Sequence, residues 1–551
     1  MIGSSNRMPE PKPSSVRPTT KTLLILLVIV AVGVFFRTYH FHDWLQFSPD
    51  EARDATYISD ALTGKAPLPK LGPQAGNTQF YLGPLYYQAE YVAGRVFGNA
   101  PDKIAYFDLL FSILAIPMLF FFLRKCFSDR ISLFLTGVMS VSFFAIQISR
   151  FASNPNTIPF FVPLFLYGLL GLMGEERTKK WAYAVAVGIG MGVGIQLHTL
   201  LFLIMPCVGV CVAVFLFVKR SLSMRDLLIA LFFFLLMNFG QIGFEIQSNG
   251  ANISQLFKGA GSESSVGAST LVRNISLIAS CQAQANVNIV FSVIDVQKCG
   301  GIFNIAKSFR ANKYLPGTAI LNGIVFIVEG IVTLLFSMVG YMFVLRSFRN
   351  EPDRSKRDFL GLVFFFNAVS FIALVPVASQ IEVRYFSILS VVPFVLLGII
   401  LSALPKGRSG ISFGTGFMLA LLVANVLTLV VLAQPYLNGN ASNVDNSILG
   451  ETESMATYLE THTETRGAVF LDGQTFYLKR FLKPFEYLAL QQGISITRPG
   501  SNEPFPSGTA YFFIDGVRSK PYALGDKLSG DVILGYERFG NIMIYSLVKT
   551  R

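Results

Sequence analysis

Residues 23–36 read LLILLVIVAVGVFF, an uninterrupted apolar run that follows a polar N-terminal tail. The tail carries four basic side chains, namely Arg7, Lys12, Arg17 and Lys21. No convincing small-residue cleavage site precedes Arg37, and many further apolar runs follow. We therefore interpret the first run as an uncleaved signal anchor with a cytoplasmic N-terminus.

The composition of the whole chain is that of an integral membrane protein. Of its 551 residues 52% are hydrophobic, 52 are Phe and only 14% are charged. The net charge is +12, but from Gln434 onward the two signs nearly cancel. The excess therefore belongs to the membrane part, where Lys and Arg anchor cytoplasmic loops. The chain has no basic strip interleaved with aromatic residues, so no nucleic-acid partner is expected.

Ten further apolar segments are long enough to cross a bilayer, which brings the predicted total to about eleven. The sequence thus predicts a mainly α, polytopic α-helical membrane protein with a small C-terminal extracytoplasmic α/β domain. The segments after the first lie near residues 104–123, 131–149, 158–174, 181–196, 199–218, 227–245, 318–345, 359–377, 385–403 and 411–433.

The short connections between these segments are rich in Lys and Arg and orient the bundle. They all fall on the cytoplasmic side if residues 82–98 form an interfacial helix rather than a span. Three domains follow: a cytoplasmic polar tail at 1–21, a transmembrane core at 22–433 with outer loops at about 38–103 and 245–317, and an extracytoplasmic α/β domain at 434–551.

The sequence SPDEAR at residues 48–53 follows soon after the first apolar run. Ser48 can cap a helix, Pro49 suits its first position, and Glu51 completes a capping box. Asp50 and Glu51 then lie in the first turn, where the positive end of the helix dipole favours ionised carboxylates. Such a box either only starts a helix or also holds a carboxylate ready as a base, and the local pattern leaves both interpretations open.

The outer segments differ in character. Cys281 and Cys299 lie in the loop at 245–317 and could form a disulfide or remain reduced. Beyond Gln434 short helical and strand patterns alternate, and two final strands separated by Gly540-Asn541 are typical of a hairpin. This tail has no glycine-rich phosphate-binding motif, so nothing supports nucleotide binding.

Five short motifs occur in one order along the chain. They are Asp50-Glu51 after the first span, PLYY at 84–87 before Gly98, RFASNPN at 150–156, QLH at 196–198 and EVRY at 382–385. Together with the topology they resemble the C-type (GT-C) membrane glycosyltransferases of the protein O-mannosyltransferase and aminoarabinose-transferase group. The resemblance covers about residues 20–435.

The resemblance implies that a hexosyl or pentosyl group passes from a polyprenyl-phosphate donor to an acceptor hydroxyl of a protein, lipid or glycan at the outer face. Asp50 aligns with the family's catalytic acid and would be the general base, with Glu51 beside it. Where the family often has a second acid this chain has Asn154 and Asn156, so a divalent metal bridging two acids is unsupported. The expected location is the cytoplasmic membrane of a bacterium.

The lipid phosphate that leaves must be stabilised by cations or hydrogen-bond donors. Arg53, Arg150, His198 and Arg384 are predicted at the outer side and are the candidate donor-phosphate ligands. Headgroup anchoring is the alternative for the two later arginines, and ordinary hydrogen bonding is the alternative for the histidine. The candidate cavity-lining residues are Tyr86, Tyr87, Asn154, Asn156 and Glu245.

Other function classes remain open. A lipid or glycan flippase would share the many spans but would not require an acid pair in an outer loop, and no paired broken helices mark two transporter halves. A non-catalytic assembly protein would explain the tail but not the acids, arginines and histidine on one face. A glycan ligase or polymerase would use the same lipid-linked donor, so topology does not separate it from a transferase.

Overall fold

The computed structural model describes residues 17–76, 78–174, 179–262, 268–292, 299, 317–404, 413–463, 468–499, 505–517 and 531–550. The protein is mainly α with one small sheet near its C-terminus, as the sequence predicts. The helices in the described ranges are α1 Thr20–Thr38, α2 Pro49–Thr63, α3 Leu85–Phe97, α4 Pro101–Ile104, α5 Tyr106–Leu123, α6 Asp129–Val141, α7 Phe143–Ile148, α8 Ile158–Met173, α9 Lys180–Leu197, α10 Thr199–Val218, α11 Met224–Met237, α12 Phe239–Gln247, α13 Ala251–Ser262, α14 Ala268–Val290, α15 Gly317–Asn350, α16 Arg354–Leu374, α17 Val391–Ala403, α18 Phe413–Leu437, α19 Leu449–Thr461 and α20 Thr475–Gln491.

Within these ranges seven helices are long and apolar enough to span a membrane, or up to nine if two bent helix pairs each count as one span. The predicted count of about eleven is therefore not reproduced. The predicted span at 131–149 is divided at Ser142, whose extended backbone separates α6 from α7. The predicted span at 227–245 is α11 and α12, which meet at an angle of 67°.

Arg37 satisfies the backbone carbonyls that the break between α6 and α7 sets free. Its side chain is fully buried, and its guanidinium donates to the carbonyls of Met139 and Ser140, at 3.3 and 3.2 Å. Its Nε donates to Ser112 Oγ at 2.9 Å. A carbonyl without a hydrogen-bond donor is costly in an apolar interior. By donating to these carbonyls, Arg37 stabilises the end of α6 where it packs against α1 and α5.

The segment predicted as a polar outer loop at 245–317 contains a buried helix. Ile278 and Cys281 of α14 belong to the main hydrophobic cluster of the helix bundle. Two amides one turn apart find polar partners on α15, since Gln282 donates to Tyr341 Oη at 2.7 Å and Asn286 donates to Ser337 Oγ at 3.2 Å. Cys281 and Cys299 form a disulfide, which resolves the alternative that the sequence leaves open.

The C-terminal domain is a five-stranded mixed sheet with strand order β2-β1-β3-β5-β4 and two helices. Strand β1 pairs in parallel with both β2 and β3, and β5 pairs antiparallel with β3 and β4. The predicted hairpin is confirmed, and Gly540 takes the positive φ of 58° that its turn needs. The strands are β1 Ala468–Gly473, β2 Ser495–Thr497, β3 Ala510–Gly516, β4 Val532–Phe539 and β5 Ile542–Val548.

This domain shares a hydrophobic core with the segment between α1 and α5. Ala55 and Ile58 of α2 belong to one buried cluster with Phe481 and Phe485 of α20. Gln491 at the end of α20 donates to Ser59 Oγ at 3.2 Å, and Phe47 packs edge-on against Tyr487 with ring centroids 5.5 Å apart. The tail therefore forms part of the support for α2.

We expect Phe481→Ala to loosen α2 as well as the domain in which it lies. Phe481 is fully buried, so its truncation should cost about 3–5 kcal/mol of stability. Phe476→Ala is the matched control, because Phe476 lies in the same helix and is 70% exposed. The measurement is the melting temperature together with the rate of proteolysis within residues 49–63. Equal effects of the two substitutions would contradict a shared core.

Candidate active site

Helix α2 begins as the sequence predicts. The backbone N–H of Ser48 donates to the Glu51 carboxylate at 2.9 Å, so the capping box is present, and Pro49 takes the first position. The helix ends at Gly64, whose φ of 76° suits a residue without a side chain. The first turn therefore has a fixed orientation, and the two acids in it point in different directions.

Asp50 is the accessible acid of the pair. Its side chain is 72% exposed, and its Oδ1 accepts from Arg53 Nη1 at 2.9 Å. Arg53 is the one side chain that the described part of the structure shows bonded to it. An exposed carboxylate beside the positive end of a helix is placed to accept a proton from a substrate.

Glu51 is buried instead. It is 3% exposed, and it accepts hydrogen bonds from both the backbone N–H and the hydroxyl of Ser48. Burial raises the pKa of Glu51 to about 8, although the hydrogen bond from the Ser48 hydroxyl acts in the opposite direction. Its contacts give it a role in holding the start of α2.

Asp54, one turn after Asp50, is buried and bonded on two sides. Its Oδ1 accepts from Arg53 Nε at 2.9 Å and from the Tyr87 hydroxyl of α3 at 2.7 Å. Burial raises its pKa to about 6 against the attraction of Arg53. Asp54 lies outside the capping box that marks Asp50 and Glu51 in the sequence, so this motif does not indicate it, although its spacing of four from Asp50 places both on one face of a helix.

Two further acids lie buried behind α2. Glu90 of α3 is 1% exposed, and Asp108 of α5 accepts from the Tyr86 hydroxyl at 3.1 Å. Burial, followed by the charges of Asp54 and Asp108, raises the pKa of Glu90 well above its usual range. Tyr86 and Tyr87, which the sequence predicts to line a cavity, thus have their hydroxyls engaged with buried carboxyl groups.

His198 and Arg384 both lie against the ring of Tyr385. The His198 ring meets the Tyr385 ring edge-on with centroids 5.3 Å apart, and the Arg384 guanidinium lies 5.7 Å from the centre of the same Tyr385 ring. His198 Nδ1 accepts from the backbone N–H of Leu200 at 3.2 Å, so a neutral ring carries its proton on Nε2. Burial and the positive charge of Arg384 lower the pKa of His198 to about 4.

The first turn of α3 connects this pair to α2. The backbone N–H of Leu85 donates to Gln196 Oε1 at 3.2 Å, and Gln196 lies two residues before His198. Two residues after Leu85 stands Tyr87, which bonds to Asp54 of α2. Asn154 Nδ2 donates to the carbonyl of Leu197, which places this asparagine at the same turn.

Arg150 is placed differently from the expectation for a phosphate ligand. It is buried, and its guanidinium donates to the carbonyls of Phe36, Tyr39 and His40 at the end of α1. It also lies over the ring of Trp44, 5.2 Å from the ring centre. These bonds stabilise the end of a helix, so Arg150 has a structural role here while it also lines an apolar cavity of about 180 Å³.

Asn156 and Glu245 also make structural contacts. Asn156 is buried and donates to the carbonyl of Phe151. Glu245 accepts from Asn252 Nδ2 at 3.0 Å and from the backbone N–H of Ile253 at 3.2 Å, and both donors lie in the first turn of α13. Among the residues that the structure describes, no group of three or more His, Cys, Asp or Glu could hold a metal ion.

The fold is that of a polytopic helical membrane protein with a small C-terminal sheet domain. The structure of ArnT from Cupriavidus metallidurans bound to undecaprenyl phosphate has the same fold, with a TM-score of 0.50 at 11% identity over 96% of this chain and 98% of that one. Residues 21–241 match the model of the dolichyl-phosphate-mannose-protein mannosyltransferase family. The predicted resemblance is thereby confirmed.

Two other solved structures are similar at lower scores. The oligosaccharyltransferase of Archaeoglobus fulgidus gives a TM-score of 0.47 at 12% identity over 90% of this chain and 69% of that one. The protein O-mannosyltransferase Pmt1-Pmt2 complex of S. cerevisiae gives 0.32 at 15% identity over 41% and 32%. No curated protein sequence matches the chain at a significant level.

Arg150 and Arg384 should respond in opposite ways to replacement by Met. Arg150→Met removes the partners of three carbonyls at the end of α1, which should cost roughly 2 kcal/mol and lower the melting temperature. Arg384→Met should leave the melting temperature nearly unchanged, because Arg384 is 57% exposed and its ion pair with Glu382, at 2.8 Å, is exposed as well. Thermal unfolding of the detergent-solubilised variants measures both, and an unaltered Arg150→Met protein would contradict the capping role.

The raised pKa of Glu51 predicts that the protein loses stability as the pH rises from about 4.5 to about 8. A folded-state pKa of about 8 against the ordinary 4.5 means that this contribution is complete below about pH 4.5 and disappears as the pH rises through about 8. The melting temperature should therefore fall between pH 5 and pH 9, and Glu51→Gln should remove part of that slope. Asp60→Asn, in the last turn of the same helix, is the control that should keep the full slope.

Proposed function

We propose that the protein transfers a sugar from a polyprenyl-phosphate donor to an acceptor hydroxyl at the outer face of the membrane, with Asp50 as the general base. The observation that carries this proposal is the difference between the two acids at the start of α2. Asp50 is exposed and held by a cation, whereas Glu51 is buried and bonded to Ser48. The ArnT structure of the same fold contains undecaprenyl phosphate, a lipid of the proposed donor class.

The proposed reaction is a single displacement at the anomeric carbon. The acceptor oxygen forms the new glycosidic bond while the bond from the anomeric carbon to the phosphate oxygen breaks. The acceptor proton passes to a carboxylate oxygen of Asp50, and the lipid phosphate leaves with the bonding electrons. One carboxylate acting as a base in this way inverts the anomeric configuration, because no covalent sugar–enzyme intermediate forms.

Cations close to the site would stabilise the departing phosphate. Arg53 lies beside Asp50, and its side chain is 37% exposed. Arg384 is exposed, and the neutral His198 next to it can donate through Nε2. Arg150 is a weaker candidate, because its guanidinium already serves three carbonyls. We assign Arg53, His198 and Arg384 to the donor phosphate and leave Glu51 as a residue that positions the helix.

The proposed location is a bacterial cytoplasmic membrane with the acid pair and the C-terminal domain outside. The support is the clustering of Lys and Arg in the short connections opposite to them, at residues 124–130, 219–225 and 346–357. The shared core of α2 and α20 places the domain next to the proposed base, where it can shape the binding of the acceptor.

Replacing Asp50 should abolish transfer and leave the fold intact. Asp50→Asn keeps the size of an exposed side chain but removes the base, which should lower turnover by about 10²- to 10⁴-fold. The assay incubates the purified protein in nanodiscs with radiolabelled polyprenyl-phosphate mannose and with membrane extract as the source of acceptors. Binding of undecaprenyl phosphate and the melting temperature should stay at wild-type values.

Asp60→Asn is the matched control, since it makes the same change on the same helix away from the proposed base. Near-normal turnover of Asp50→Asn would exclude Asp50 as the base. A wild-type protein that transfers no sugar from any polyprenyl-phosphate hexose or pentose would contradict the proposed function itself.

A further inference from the structure

Asp50 depends on a single cation for its orientation in the described part of the structure. The Arg53 Nη1 that bonds to it belongs to a side chain with many rotamers and about 37% exposure. A half-exposed arginine would sample several of these rotamers unless other bonds restrained it. What holds Arg53 therefore determines how firmly the proposed base is held.

Asp54 supplies that restraint from the buried side. Its Oδ1 lies 2.9 Å from Arg53 Nε and 2.8 Å from Nη2, so one carboxylate oxygen engages two of the three guanidinium nitrogens. The third nitrogen, Nη1, is the one that bonds to Asp50. The plane of the guanidinium is thus fixed by Asp54, and its outer edge is presented to Asp50.

Tyr87 in turn fixes Asp54. Its hydroxyl donates to the same Oδ1 at 2.7 Å, and its ring is only 2% exposed within the core shared by α2 and α3. The result is a continuous series of hydrogen bonds from a buried tyrosine to an exposed carboxylate. Each bond in it is between 2.7 and 2.9 Å long.

We propose that Asp54 and Tyr87 are positioning residues that hold the Arg53 guanidinium, and through it the Asp50 carboxylate, in the orientation needed for proton transfer. The catalytic part of this inference rests on the proposed function, whereas the restraint of Arg53 does not. Asp54 accepts from both Arg53 and Tyr87, which suits its role as the acceptor in this series. Neither residue touches the substrate in this scheme.

The restraint can be measured without any sugar substrate. Phenylglyoxal modifies accessible guanidinium groups, and mass spectrometry can follow the peptide that contains Arg53. Asp54→Asn and Tyr87→Phe should each raise the labelling rate of Arg53 severalfold, while exposed Arg95 on α3 serves as an internal reference in the same sample. Asp60→Asn and Tyr57→Phe are matched controls that should leave both rates unchanged, since Tyr57 is exposed and touches Tyr87 only through its ring.

Turnover of polyprenyl-phosphate mannose tests the positioning role. Asp54→Asn should lower kcat by about 10- to 100-fold, because a small misplacement of a reacting group can cost that much. Tyr87→Phe should lower it by about three- to tenfold, as expected for one lost hydrogen bond. KM for the donor should rise as well, because Arg53 is also assigned to the donor phosphate. Tyr87→Phe remains decisive if Asp54→Asn does not fold.

A double-mutant comparison separates a role through Arg53 from an independent one. In an Arg53→Met background, Asp54→Asn should cause no further loss of turnover. The same factor of loss in both backgrounds would overturn the proposal, as would an Arg53 labelling rate that neither substitution changes. Raised labelling with unchanged turnover would overturn the catalytic part alone, whereas raised labelling in a protein without wild-type transfer would refute the proposed function and leave the restraint of Arg53 established.

Discussion

The structure depends on one constraint: where a helix ends inside the apolar bundle, its last backbone carbonyls need hydrogen-bond donors. Two arginines meet it in a reciprocal way. Arg37 of α1 bonds to the carbonyls at the end of α6, and Arg150, which follows α7, bonds to the carbonyls at the end of α1. A cation that binds neutral carbonyls keeps these helix ends together without a buried counter-ion. The two helix ends therefore fix each other's position.

This arrangement also determines where the proposed base lies. The chain leaves α1 and returns as an extended segment, in which the backbone N–H of Gln46 donates to the carbonyl of Arg150 at 2.8 Å. The next residue, Phe47, donates to the carbonyl of Ser447 at 2.8 Å, and α2 starts two residues later. A fixed entry into α2 and a capped first turn give Asp50 a defined position on a short helix.

The parts of the site that depend on neighbours in the sequence could be predicted. The start of α2 at Pro49, the exposure of an acid in its first turn and the final hairpin all follow from residues within three or four positions of each other. The opposite burial of Asp50 and Glu51 could not be predicted, because it depends on the elements that pack on α2, chiefly α3 and α20. The role of Arg150 could not be predicted either. Its guanidinium donates to carbonyls about 110 residues away in the sequence, so its N–H groups are not free for the phosphate that the sequence pattern suggested.

The helix α14 shows a further limit of sequence patterns. Its run of Gln and Asn is typical of a solvated loop. The sequence alone does not show that these amides donate to Tyr341 and Ser337 on a neighbouring helix. The bend between α11 and α12 and the break at Ser142 are two further features that the sequence did not predict. Both lower the number of straight membrane-spanning helices below the predicted number. Hydropathy alone identifies apolar segments that are long enough to span a membrane. It does not show where such a helix is broken and its free backbone groups are satisfied by neighbouring helices.

The support of α2 by the end of the chain has a consequence for biosynthesis. Ser447 bonds to Phe47 across 400 residues, and Gln491 bonds to Ser59 across 432. The ribosome synthesises Asp50 long before it makes these partners. The helix that carries Asp50 acquires its full set of contacts only after residue 491 has been translated. A nascent chain shorter than this therefore contains the acid but not the finished support of the helix that carries it.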